Sequence, residues 1–159
     1  MKTKITFVTT TLSLLLSVAP AVRAGILDGL GKWEGTGNAF EASGKDLGAF
    51  SVSMTRSRLA ATKVRADGRI TLASGQEITF WQEFEERAPN GFALVSNAGT
   101  GSGQCFANGM CESFTQQPDG HAFATTMVKD GAERIRVLVT ELEQGRAVRF
   151  YQETLLKKP

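Results

Sequence analysis

Glycine-centred turn signals recur along this chain at intervals of about 9 to 14 residues, and that rhythm limits the fold more than any other feature. They read ADGR at 66–69, SG at 74–75, PNG at 89–91, NAGTGSG at 97–103, ANG at 107–109, PDG at 118–120, KDG at 129–131 and EQG at 143–145. Asp-Gly and Asn-Gly pairs supply the positive φ values that tight hairpins demand. Such intervals hold one strand and one turn, with no room for the long crossovers that parallel strands need. The chain is predicted to run up and down.

Between the turns, apolar residues alternate with polar ones. Phe50, Val52 and Met54 fall on one face against Ser51, Ser53 and Thr55, and Ile78, Phe80 and Phe84 are offset from Thr79, Glu83 and Glu85. Ile135, Val137 and Val139 alternate with Arg134 and Arg136, as Val148 and Phe150 do with Arg149. A period of two is the strand period. Beyond the N-terminal segment, the one helix candidate is GILDGLG at 25–31, long enough for a single turn.

Many antiparallel strands twist too strongly to stay an open sheet, and closure removes the edges that invite aggregation. The expected fold class is all-β, an antiparallel up-and-down meander closed into a β-barrel of eight to ten strands, with a two-sheet sandwich as the alternative. In GKWEGTGNAF, Trp33, Gly35, Gly37 and Ala39 share one face. The tryptophan can then plug one end of the barrel while the glycines let the first strand bend and pack closely.

The two cysteines lie in SGQCFANGMCESF. A three-residue loop, Ala107, Asn108 and Gly109, places Gly109 at the left-handed position and sets Cys105 opposite Cys111, close enough for a disulfide. Neither a CxxC nor further thiolate or imidazole partners accompany them, so redox and metal roles are not indicated.

The first 24 residues put Lys2 and Lys4 ahead of an apolar stretch and end with Val22 and Ala24 before Gly25, which reads as a secretory signal peptide. Gly25 to Pro159 would then be a single exported domain, periplasmic or extracellular, without a membrane span. Export permits the disulfide. Of the 18 basic residues, Lys2, Lys4 and Arg23 leave with the signal, so 15 face 16 acidic ones. The electrostatic footprint of a nucleic-acid binder is missing.

The GxW at Gly31 to Trp33, with a possible helical turn before it and a meander after it, resembles the opening of the calycins: lipocalins, fatty-acid-binding proteins and the avidin group. Arg149, Phe150 and Tyr151 resemble the RxY of fatty-acid-binding proteins, in which arginine and tyrosine hold a carboxylate inside the barrel. The resemblance implies a ligand-holding barrel with Arg149 and Tyr151 as ligand contacts. It departs from those families at 41–47, too short for a helical lid, and in lacking a helix before the last strand.

Three placements compete for Arg149: toward a ligand, flat over Trp33 as a cation–π strut, or, with Tyr151, out to solvent opposite Val148 and Phe150. Arg56 shares parity with Phe50, Val52 and Met54 and is a candidate polar anchor, since a guanidinium fork binds two carboxylate oxygens at once. Arg136 joins it only if its strand turns the same face inward. The sole histidine, His121, follows the 118–120 turn and reads as solvated, with a haem ligand at the barrel mouth as the alternative. Glu83, Glu85 and Glu86 are the densest carboxylates and read as a solvent face. No HExxH, GxSxG or phosphate-binding loop is present.

The expected function is non-catalytic binding of a small apolar or amphipathic molecule, fatty-acid-like or haem-like, by Arg149, Tyr151, Arg56 and Trp33, with no other cofactor. The alternative is a protein-interaction module, an inhibitor-type or envelope-partner barrel that presents NAGTGSG and the cysteine hairpin.

Overall fold

The computed structural model describes Gly25 and residues 27–87 and 90–159. The signal-peptide reading of 1–24 lies outside the described residues. Ten antiparallel strands follow one another: β1 (Gly31–Glu41), β2 (Asp46–Ala60), β3 (Lys63–Leu72), β4 (Glu77–Arg87), β5 (Gly91–Ser96), β6 (Gly99–Cys105), β7 (Met110–Gln116), β8 (His121–Lys129), β9 (Arg134–Glu143) and β10 (Arg146–Lys157). Each pairs with its sequence neighbours, and β1 also pairs with β10, so the meander closes into a barrel. Among the described residues there is no helix. Of GILDGLG, the described residues show a turn in which the Asp28 N–H donates to the Gly25 carbonyl at 3.0 Å.

The register divides every strand into an inner and an outer face. Trp33, Gly35, Gly37 and Ala39 on β1 stand beside Phe50, Val52, Met54 and Arg56 on β2, and beside Tyr151, Glu153 and Leu155 on β10. Trp33 is fully buried, and its indole N–H donates to the Gly29 carbonyl at 2.7 Å, so the lead-in segment and the tryptophan together floor one end. Gly37 has a steric reason: a Cβ there would sit 2.4 Å from the Phe50 ring. Gly103 on β6 repeats the device under Phe92, at 2.3 Å. An aromatic ring lying over a strand glycine fills the missing side chain and permits the tight curvature of closure.

Two turn expectations are corrected. ADGR at 66–69 lies inside β3, and within NAGTGSG only Asn97 and Ala98 form the turn, the rest being β6. In both segments glycine serves clearance inside the barrel: a Cβ on Gly68 would meet the Phe80 ring at 2.6 Å and the Met54 side chain at 2.7 Å.

The interior is packed toward the floor. One cluster joins Ala66, Phe84, Phe92, Leu94, Cys105 and Cys111, and the other joins Trp33, Phe50, Val52, Ile135, Val137 and Leu155. Met54 and Met127 pack against both and bridge the lumen between them. Cys105 and Cys111 are disulfide-bonded across the β6–β7 hairpin. That hairpin lies at the floor end, whereas the Asn97–Ala98 turn lies at the mouth.

Candidate functional site

Inward residues at the mouth end of β8, β9 and β10 form a polar cluster. Antiparallel register sets Glu141 of β9 directly between Phe123 of β8 and Arg149 of β10, and His121 enters from the start of β8. Glu141 is 6% exposed. Arg149 Nη1 donates to both of its carboxylate oxygens at 3.3 Å, and the Tyr151 hydroxyl donates to Oε2 at 2.6 Å. His121 Nδ1 stands 3.5 Å from Oε1. Burial, then the hydrogen bond to Glu141, pushes the Tyr151 phenol up to about 12. Tyr151 and the Glu141 charge hold the Arg149 guanidinium above its ordinary value.

Arg149 and Tyr151 thus both face into the barrel and share one carboxylate, supplied by the chain itself. The strut over Trp33 is not formed by Arg149, because Trp33 pairs with Lys157 and Arg149 with Glu41, at opposite ends of β1. Arg56 takes the neighbouring place: its guanidinium and the Trp33 ring would each lie 3.3 Å from a Cβ on Gly29, and it sits 5.7 Å from the Phe84 ring centre. Burial brings Arg56 down to about 10, against the pull of Asp28. The four expected contacts therefore separate into two pairs, Arg149 with Tyr151 at the mouth and Arg56 with Trp33 at the floor. Arg136 points outward.

Sequence reasoning passed over two residues. Glu141 continues the inward parity of Ile135, Val137 and Val139, so its burial was readable from the period of two. Glu153 lies between Tyr151 and Leu155 on the inner face, opposite Gly37 on β1 and Val137 on β9. Burial alone pushes its carboxyl up to about 7.

Above the bridging methionines, Ala39, Ile70, Leu72, Phe80, Val139 and Tyr151 line the inner wall and remain partly exposed. Glu83 faces outward, as expected, and its carboxyl is held below its ordinary value by Lys63 and then Arg65. A concavity of about 640 Å³ lies on the outer wall, bordered by Thr36, Ala49, Val128, Arg136, Leu138 and Gln152. Among the described residues no helix is long and apolar enough to cross a membrane.

No protein-family profile matches the sequence, and no curated protein does. Solved structures share the fold. An S-type phycobiliprotein lyase from Guillardia theta superposes with a TM-score of 0.68 at 9% identity, over 82% of this chain and 88% of its own. Rv2717c from M. tuberculosis gives 0.64 at 12% identity, over 89% and 99%. A DUF3598 protein of unknown function from Nostoc punctiforme gives 0.60 at 11% identity, over 81% of this chain and 47% of that one, so the present chain spans about half its length. At these identities the likeness is one of fold, a closed antiparallel β-barrel.

Proposed function

We propose that the chain is an exported, non-catalytic binding protein that holds a small apolar or amphipathic molecule in the mouth half of its barrel. One observation carries this reading: the inner wall above the methionine layer, from Ile70 and Leu72 to Phe80 and Val139, keeps residual exposure while Trp33, Val64 and Phe92 toward the floor are fully buried. Apolar side chains left open on a concave wall, with a few convergent polar groups, make a surface for a small ligand. Arg149 and Tyr151, beside Glu141 and His121, form a polar rim at the mouth of that wall. Trp33 and Arg56 set the floor beneath it. The basic, apolar, then small-residue order of 1–24 supports export, and the disulfide supports an oxidising compartment. The shared fold supplies a scaffold and assigns no ligand.

The test is native mass spectrometry of the purified protein, joined to thermal shift against fatty acids, haem, and long-chain alcohols and amines. A bound species and a raised Tm are expected, since a ligand at 100 times its Kd adds about 2.7 kcal/mol to stability. Ile70→Trp, which fills the lumen, should cancel the shift while unfolding remains cooperative. No bound species and no shift with any probe would end this reading. The outer concavity favours the second reading, a protein-interaction module. In that case Leu138→Glu, on the outer wall, would abolish partner binding and Ile70→Trp would not.

A further inference from the structure

We infer that Glu153 is the polar anchor of the lumen, and that the molecule held there carries a cationic or N–H-donating end on an apolar body rather than a carboxylate. The inference rests on the lumen-binding reading and adds the chemical class of the ligand.

The arginine–tyrosine pair at the mouth is already committed. Glu141 accepts from Arg149 through both oxygens and from Tyr151, and it is buried. A ligand carboxylate that took the Nη1 and hydroxyl donors would displace Glu141 and leave it without its partners, and one that met the remaining N–H groups of Arg149 would lie beside the Glu141 charge. Glu141 therefore makes the pair a weaker carboxylate site than an arginine and a tyrosine alone would form.

Glu153 is in the opposite condition. It lies one inward position deeper on β10 than Tyr151, and no hydrogen bond or ion pair from a described residue reaches its carboxylate. Its inward neighbours are Gly37 and Ala39 on β1, Val137 and Val139 on β9, and Leu155 on its own strand, with the Phe50 ring over Gly37. The charged groups that face the same lumen are Glu141 and Arg149 at the mouth and Arg56 at the floor. Burial is the sole influence on Glu153, so neither arginine compensates it. A buried carboxylate with no donor is costly, and a ligand that brings an ammonium or N–H group into hydrogen-bond reach removes that cost. Glu153 is only partly buried by surface, and its residue also borders the concavity on the outer wall.

Three probes with one chain length separate the possibilities: dodecylamine, dodecanoate and dodecanol, each titrated calorimetrically at pH 8 below its micelle concentration, into the wild type and Glu153→Gln. Dodecylamine should bind the wild type at least about tenfold more tightly than either of the others, the scale of one charge-assisted hydrogen bond. In Glu153→Gln it should fall to the level of dodecanol, and dodecanol should be unaffected. Tightest binding by dodecanoate, or an amine preference that survives Glu153→Gln, would overturn the inference and leave the lumen reading standing. Failure of all three probes would bring down both. The Gln variant removes a buried charge at constant shape and is expected to fold, which its cooperative thermal unfolding will verify.

Discussion

Replacing Glu153 by Gln should stabilise the protein at alkaline pH and change little at acid pH. The folded carboxyl titrates at about 7, against the ordinary value of 4.5. Below pH 4.5 both folded and unfolded states hold the proton, and the residue adds no pH-dependent cost. Between 4.5 and 7 the unfolded chain releases its proton while the folded chain keeps it, so stability falls as pH rises. Above 7 both are ionised and the full cost stands, about 3 kcal/mol from the distance between the two values. Thermal unfolding of both proteins between pH 4 and pH 9 measures the difference directly, and subtracting the curves cancels groups common to both, Glu83 among them. For a barrel of this size the variant should gain on the order of 10 °C in Tm at pH 8 and nearly nothing at pH 4. A variant no more stable than the wild type at pH 8, or a difference that does not depend on pH, would refute the argument from burial.

Further expectations address other parts of the fold. Tyr151 is the only tyrosine, so its ultraviolet titration reads that residue alone and should show a midpoint near 12; a midpoint near 10 would mean that Tyr151 is neither buried nor held by Glu141. Reducing the disulfide, or making Cys105→Ser with Cys111→Ser, should cost about 2 kcal/mol in denaturant unfolding, as its short loop removes little unfolded-state entropy. Gly37→Ala should cost about 1–3 kcal/mol by pushing a methyl into the Phe50 ring and the Gln152 carbonyl, and Phe50→Leu in the same chain should return only part of it, because the carbonyl clash remains.

The meander, its closure and the cysteine pairing were legible because each rests on local chemistry: a period of two, turn residues, and a three-residue hairpin loop. The function of individual glycines was not. Gly68 and Gly101 stand in motifs that spell turns, yet they serve to keep Cβ atoms away from the Phe80 ring and the Phe114 carbonyl. A glycine needed for φ and one needed for space look the same in a sequence. The orientation of Arg149 was ambiguous for a related reason. Phe150 is apolar but lies on the outward parity, and a register shift at Val148, between Ala147 and Arg149, interrupts the alternation there. Glu141 could have been read as inward from its parity with Val137 and Val139. What it touches could not, because Arg149 and Tyr151 come from β10 and His121 from β8, and contact among them depends on the register that both strands take against β9.

Methyl-resolved NMR with dodecylamine as ligand tests the central claim most directly, because inner and outer walls carry different aliphatic residues. Shifts in Ile70, Leu72, Val137 and Val139 are predicted, with Leu138, Val128 and Leu156 unmoved. Perturbation of the outer set alone would contradict it.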